Sequence, residues 1–208
     1  MITQVIKNVM SDAENVAVYN APILQTYLTN VPFVLPDDEN VVKEFVKLGE
    51  MFITKSCEKL GADKRTRPRL GYGRMKIIEI LRFIMKEDVL NSKELVAKTD
   101  NFFPILFNLV KQYDMNNMLH NEVIKILEIA LSEPEDSLLN KAVLKEQVLV
   151  NFIAEEWQED KKIKAGDSVY KSRKGYIAHV INLCVRLREL GETNQQIKTM
   201  VEGTPSYT

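Results

Sequence analysis

The sequence predicts an all-α protein, built either as an armadillo- or HEAT-like α-solenoid or as a bundle of antiparallel helices. Apolar residues recur every three to four positions along most of the 208 residues, which is the spacing of a buried helix face. Only 8 glycines are present, and most stand at apparent helix ends. No run of alternating apolar and polar residues is long enough for a strand. Helices of about 12–18 residues joined by short loops favour antiparallel neighbours.

The N-terminal part contains three predicted helices. Apolar residues within 5–10 indicate a short first helix. Asn20 is placed as the cap of the second, with Pro22 in its first turn. Two prolines then predict an extended break over residues 31–36, because each proline restricts the residue before it. The third helix follows two aspartates, which suit a helix start, and ends at Gly61.

The same periodicity places the remaining helices. They are expected at residues 75–85, from Ser92 onward, at 102–113, at 117–131, as one long helix over 139–157, and at 175–190. A charged loop is predicted over 160–173, and the chain after Gly191 is expected to fray. No internal repeat is visible, although armadillo and HEAT units diverge too far for this to exclude them.

Composition excludes several classes of protein. With 28 basic and 29 acidic residues the net charge is -1, which argues against a general nucleic-acid binder. No apolar stretch approaches about 18 residues, so no membrane span is expected. Cys57 and Cys184 lie far apart without a CxxC spacing, which favours a reducing compartment. We therefore expect the cytoplasm, with the nucleus as an alternative.

The residues that most often perform catalysis form no recognisable site. His120 and His179 have no metal-ligating side chain three or four residues further on, so both are interpreted as structural hydrogen-bonding residues. The GxG of residues 71–73 lacks the remainder of a phosphate-binding loop and is interpreted as a turn. No nucleophile and base pair is visible. The sequence predicts no catalytic residue, no metal and no cofactor.

Two charged clusters are each open to two interpretations. Acidic residues within 155–160 surround Trp157, and a solvated helix end explains them more simply than acid–base chemistry. A basic cluster includes Arg67, Arg69 and Arg74. It either meets an acidic partner surface or phosphate group, or it is a solvated linker.

Asn116 and Asn117 precede a predicted helix that contains His120. One asparagine can cap that helix. The second, with His120, places polar groups in an apolar neighbourhood, where buried amides need partners. We interpret these residues as a polar clasp between neighbouring helices, with direct binding of a partner as the alternative.

Three stretches together resemble the SAPS-domain family, the regulatory subunits of protein phosphatase 6 and its fungal equivalent. Residues 70–75 (LGYGRM) are similar to the family's Leu-Gly-x-x-Arg-Leu. Residues 113–123 (YDMNNMLHNEV) resemble Tyr-x-Trp-Asn-Asn-Phe-Leu-His-x-x-Val, with Met115 where the family has Trp. Residues 173–180 (RKGYIAHV) resemble Arg-x-Gly-Tyr-x-Gly-His-Leu. The three stretches also occur in the family's order.

The resemblance implies an armadillo-like fold and a scaffold or regulatory role, in which the catalytic metals belong to a bound serine/threonine phosphatase catalytic subunit. It also implies that the chain represents the later part of the domain. We divide the chain into an N-terminal helical segment (1–66), a SAPS-like helical region (67–195) and a flexible tail (196–208). Candidate partner-binding or helix-stacking residues are Arg67, Arg69, Arg74, Asn116, Asn117, His120, Tyr176 and His179.

Two further functions remain open from the sequence. A helical adaptor for a different protein partner would share the fold without the phosphatase, because fold does not imply function. A small enzyme using His120, His179 and Glu155 is the other, and it lacks a nucleophile or a metal constellation. An additional adaptor protein is also a possible partner of a phosphatase regulator.

Overall fold

The computed structural model describes residues 2–11, 14–34, 39–61, 70–164 and 174–203. These residues form eleven α-helices and two short 3-10 helices, and no strand occurs among them. The α-helices are α1 (Ile2–Val9), α2 (Glu14–Val34), α3 (Glu39–Gly61), α4 (Gly71–Lys86), α5 (Ser92–Lys98), α6 (Phe102–Gln112), α7 (Asn117–Ser132), α8 (Leu138–Leu144), α9 (Val148–Lys164), α10 (Ile177–Gly191) and α11 (Gln195–Glu202). The predicted all-α class is confirmed.

Equivalent helices recur every 46 residues in the middle of the chain. The start of α4 precedes the start of α7 by this interval, which also separates α5 from α8 and α6 from α9. The two helices of each pair are in contact. Armadillo and HEAT units have periods of about 40–47 residues, so the structure reveals a repeat that the sequence does not show by eye.

The helices stack in layers. α2, α4 and α7 contact one another in succession, as do α3, α6 and α9, while α5 packs on α8. α10 then packs on α9, and α11 on α10. The buried apolar side chains form one cluster that extends from Ile6 to Ile197. This is the nearest-neighbour packing of a helical array, in which each unit buries its apolar faces against the next.

Helix α4 is buried on more than one face, as its sequence predicted. Ile77, Ile78, Ile80 and Leu81 are each at most 1% exposed. The helix lies against α2, α3 and α7, so apolar side chains on several sides find partners. At its surface, Arg82 pairs with Glu122 of α7.

The predicted start of the second helix at Asn20 is wrong. The extended break predicted over residues 31–36 is also wrong for residues 31–34, which belong to α2. Helix α2 runs without interruption from Glu14 to Val34, and the Asn20 side-chain amide donates 2.8 Å to the Val16 carbonyl inside it. Pro22 is exposed, while Ala17, Ala21, Leu24 and Leu28 form a buried stripe on both sides of it. Burial of that stripe outweighs the roughly 3 kcal/mol that an interior proline costs.

Three boundaries in the C-terminal half also differ from the predictions. The expected long helix over 139–157 is divided into α8 and α9 by a 3-10 turn in which Glu146 and Gln147 have positive φ. Helix α9 then continues to Lys164 into the predicted loop. Part of the predicted flexible tail forms α11, whose Ile197 is 1% exposed. Packing against neighbouring helices determines all three boundaries, and the apolar periodicity within one segment carries no information about that packing.

Candidate functional site

The second and third sequence motifs meet where α7 begins and α10 begins. Asn116 caps α7, because its side-chain oxygen accepts from the Leu119 amide at 3.1 Å. Asn117 is the first residue of the helix, and its side chain is exposed. The cap that the sequence predicted for one asparagine therefore belongs to Asn116. The polar clasp expected of the second asparagine is made instead by other groups nearby.

His120 is fully buried at this junction. Its Nε2 lies 2.9 Å from the carbonyl oxygen of Tyr113, which ties α7 to the turn before it. Nδ1 has no hydrogen-bond partner among the described residues. The imidazole lies edge-on to the Tyr176 ring, with centroids 5.3 Å apart, and 6.2 Å from the ring of the half-buried His179. Burial holds the pKa of His120 below its ordinary range, although the hydrogen bond to Tyr113 opposes this.

Gly175 joins the two motifs through the backbone. Its amide donates to the Asp114 carbonyl at 2.9 Å, directly linking the turn before α7 to the start of α10. A Cβ on Gly175 would lie 2.9 Å from the Asp114 carbonyl oxygen and 3.4 Å from Oδ1 of Asn117. Glycine is therefore needed here for close approach of two chain segments.

A buried carboxylate anchors the same end of α10 to α9. The Tyr176 hydroxyl, on a residue 1% exposed, donates to Oε2 of Glu156 at 2.6 Å. Lys174 Nζ reaches the same oxygen at 2.6 Å and Oε2 of Glu159 at 2.7 Å. Lys111 of α6 approaches Oε1 of Glu156 at 3.7 Å. Residues of α6 and of the segment before α10 thus converge on one carboxylate of α9, which is only 3% exposed.

The two donors respond to this carboxylate in the expected directions. Burial and then the hydrogen bond to Glu156 raise the pKa of the Tyr176 phenol. Burial would lower the pKa of the Lys174 ammonium, but its hydrogen bonds to Glu156 and Glu159 outweigh this and raise it. Both donors therefore keep their protons, and the link persists across the physiological pH range. We call the contacts of Asp114, His120, Glu156, Gly175 and Tyr176 the clasp.

The interpretation of the acidic cluster as a solvated helix end is wrong for two of its members. Glu156 and Asp160 are each 3% exposed, whereas Glu155 is exposed and pairs with Lys111 at 2.7 Å. The signal that could have indicated this lies in the third motif, where Lys174 and Tyr176 supply the matching donors. Sequence separation hides the match, because these donors follow Glu156 by 18 and 20 residues.

The clasp is flanked by exposed apolar side chains. Met115 is 67% exposed in the turn before α7, and Met118 is 66% exposed in its first turn. Asn117 lies between them in sequence and is also exposed. Methionine is flexible and polarizable, and it is common at protein-binding surfaces. The clasp thus holds a small apolar surface on a rigid support.

The predicted site residues divide into three sets. The structure brings together Asn116, Asn117, His120, Tyr176 and His179. Arg74 lies at the start of α4, where it is 7% exposed and its Nε donates to the Leu70 carbonyl at 2.9 Å, and its role in partner binding or helix stacking stays a prediction. Arg67 and Arg69 lie outside the described residues, so both interpretations of the basic cluster stay predictions.

The described part of the chain contains no group of three or more side chains that could hold a metal ion. No described helix is long and apolar enough to cross a membrane. The polar groups of the clasp make contacts between helices. The fold and the clasp together define an all-α protein of stacked helices, in which the clasp links two successive units of the array.

Comparison with known proteins gives the family. The SAPS family, described as SIT4 phosphatase-associated proteins, matches residues 88–204, which is more than half of the chain. The chain therefore belongs to the SAPS family, and the resemblance inferred from the motifs is confirmed. The matched range includes the second and third motifs, and the first lies before it. The boundaries of the segments at 1–66, 67–195 and 196–208 are not tested by this match.

One curated relative is the mouse serine/threonine-protein phosphatase 6 regulatory subunit 1. It is 26% identical over 150 residues, an alignment that covers 66% of this chain and 17% of the relative. The chain thus spans about one sixth of the relative's length. No solved structure matches the chain.

Proposed function

We propose that this chain binds the catalytic subunit of a protein phosphatase 6-type serine/threonine phosphatase and targets or modulates it. The observation that carries the proposal is membership of the SAPS family over residues 88–204, together with a relative named as a phosphatase 6 regulatory subunit. In this role the chain is a scaffold, and catalysis belongs to the bound subunit. We place it in the cytoplasm, with the nucleus as a second compartment.

The docking face that we propose consists of Met115, Asn117 and Met118. Their exposure supports this, because a partner that covers both methionines removes apolar surface from water, and flexible methionine side chains adapt to the surface that they meet. Direct partner binding was the alternative interpretation of Asn117, and its exposed side chain favours it. His120 and Tyr176 are buried and act by positioning this face.

The test uses the purified chain and a purified phosphatase 6-type catalytic subunit in biolayer interferometry. The double variant Met115→Asp, Met118→Asp should weaken binding by about tenfold or more, because central apolar contacts dominate interface energies. The matched control is Leu138→Asp, which is also an exposed apolar position (53%) but lies at the start of α8. It should bind as the wild type does. Melting curves of all three proteins establish that they are folded.

The outcomes separate the proposed face from the proposed partner. Equal binding by the wild type and the methionine variant would refute the face but leave the partner in place. Absence of binding by the folded wild type would instead favour a helical adaptor for another protein. Affinity purification from the native cell, followed by mass spectrometry, then identifies that protein, and fluorescence microscopy of the tagged chain tests the compartment.

The enzyme alternative has its own test. The purified chain, free of co-purified phosphatase, should show no turnover of phosphoester or peptide substrates, with or without divalent metals. Turnover lost in His120→Ala or His179→Ala, in protein that remains folded, would favour the small enzyme instead.

A further inference from the structure

An open groove lies between α9 and α10, further along α10 than the clasp. Its apolar floor is formed by Trp157 of α9 with Ile181, Cys184 and Val185 of α10, and its volume is about 260 Å³. A second depression of about 330 Å³ lies between α10 and α11 and shares Arg188 and Glu192 with the first. We use the name groove for the first depression alone, between α9 and α10.

The lining residues follow the spacing of a single helix face. Ile181, Val185 and Arg188 stand at positions i, i+4 and i+7 of α10, and Glu192, directly after the end of the helix, stands at i+11. At 1.5 Å per residue they span roughly 16 Å, the length of about three helical turns. Val185 is 54% exposed and lies beside a partly exposed Trp157. A groove of this length, apolar at one end and charged at the other, fits an amphipathic helix better than an isolated small molecule or a short turn.

Charge at the end of the groove adds a second, independent constraint. Arg188 and Glu192 are exposed, and neither forms an ion pair with another residue in the described ranges. The neighbouring Arg186 and Glu189 do pair with each other, at 3.3 Å. The groove therefore ends in two opposite charges one turn apart that lack partners there. A complementary segment would present an acidic residue to Arg188 and a basic residue to Glu192.

We propose that this groove binds an amphipathic α-helix of a second protein partner, distinct from the phosphatase catalytic subunit. Apolar side chains of that helix cover Trp157, Ile181 and Val185, while its charges pair with Arg188 and Glu192. The inference goes beyond the proposed function, because the groove shares no residue with the face of Met115, Asn117 and Met118. Such a protein could then hold two partners at once.

The chain carries its own reporter for this test. Trp157 is its single tryptophan, so intrinsic tryptophan emission arises at the groove alone. The probe is a displayed library of tryptophan-free peptides of about 16 residues, long enough for four turns. The library is selected on the wild-type chain and counter-selected on Val185→Asp. Selected peptides are then synthesised and titrated while Trp157 emission is recorded.

We expect selected peptides with helical apolar periodicity, a saturable change in Trp157 emission, and helical circular dichroism on binding. Arg188→Glu should weaken the binding of a peptide that carries the matching acidic residue by about tenfold. Replacing that peptide residue with lysine should restore affinity for the Arg188→Glu chain. Leu138→Asp, altered at an exposed apolar position outside the groove, should bind the peptides as the wild type does.

The proposal would be overturned by selected peptides that bind Val185→Asp as tightly as the wild type. It would equally be overturned by a library that yields no enriched peptide, or by enriched peptides without helical periodicity. An affinity that Arg188→Glu leaves unchanged would show that Arg188 makes no charge pair with the peptide. This result would also overturn the proposed occupant. Melting curves of the variants confirm that each compared chain is folded.

Discussion

At the scale of single residues, buried polar groups determine how the two family motifs meet. Glu156 accepts from Tyr176 and from Lys174, both at 2.6 Å, and is itself only 3% exposed. A buried charge is tolerated only where it is paired and hydrogen-bonded, and here two donors satisfy one oxygen. Among the described residues, His120 has a hydrogen-bond partner at one ring nitrogen only. These residues give the clasp its specificity.

The first prediction concerns pH. Burial lowers the pKa of His120 from its ordinary 6.5, so the unfolded chain binds this proton at a higher pH than the folded chain does. As pH falls through about 6.5, the free energy of unfolding should therefore decrease, and at higher pH this contribution is constant. The slope contributed by one such group is at most about 1.4 kcal/mol per pH unit.

Urea denaturation at a series of pH values from about 7.5 to 5 measures this slope. His120→Gln removes the titrating group and should give a flatter pH dependence than the wild type. His179→Gln retains His120 and should keep most of the wild-type slope. Equal slopes in the wild type and His120→Gln would show that His120 does not titrate differently in the two states.

The second prediction separates the two asparagines. Asn116→Ala removes the α7 cap and should lower the free energy of unfolding by about 1 kcal/mol. Asn117→Ala alters an exposed side chain and should change it by less than about 0.5 kcal/mol. Urea denaturation of both variants measures the difference. A larger loss in Asn117→Ala would restore the clasp role that the sequence suggested for it.

At the scale of elements, the clasp between α7 and α10 depends on the close approach of two backbone segments. Gly175 contacts the Asp114 carbonyl, and the Glu156 link holds α10 against α9 at the same end. Nearby, an ion pair between Arg82 and Glu122 links α4 to α7. Burial would raise the pKa of Glu122, but its hydrogen bonds to Lys125 and Arg82 outweigh this and lower it.

The third prediction tests the close contact at Gly175 in the clasp. The Cβ of Gly175→Ala would lie 2.9 Å from a backbone oxygen, which cannot rotate away. The two backbone segments of the clasp would therefore have to move apart. We expect a loss of about 1–3 kcal/mol, the usual cost of overpacking. Gly61→Ala is the control, because its Cβ would meet only the Ile105 side chain, at 3.9 Å. Thermal melts compare the two, and equal stability would argue against close packing at Gly175.

At the scale of the whole molecule, one apolar cluster runs from Ile6 to Ile197. The N-terminal helices share it, since α2 packs on α4 and α3 packs on both α5 and α6. In a stacked array the stability of each unit depends on its interfaces with its neighbours. The N-terminal helices and the family region should therefore stabilise each other.

The fourth prediction follows from this shared core. Urea unfolding monitored by Trp157 fluorescence reports α9, whereas far-ultraviolet circular dichroism reports all helices. We expect the two transitions to have the same midpoint, which is the test of a single cooperative unit. Separate midpoints would show instead that part of the chain unfolds independently of α9.

The sequence predicted correctly those features that depend on residues close together in the chain. The positions of α3 to α7 follow from apolar spacing and from stop signals such as Gly61. Membership of the SAPS family follows from three short motifs. That one asparagine caps α7 also follows, because a cap and the backbone amide that donates to it lie within three residues.

The tertiary structure alone decided features that depend on distant residues. It selected Asn116 over Asn117 as the cap, and it buried Glu156 against donors 18 and 20 residues away. It continued α2 through Pro22, and it divided α8 from α9 at Glu146, where neither glycine nor proline marks a break. The physical reason is that burial against neighbouring helices supplies free energies of several kcal/mol, which exceed the local propensities that a sequence window contains.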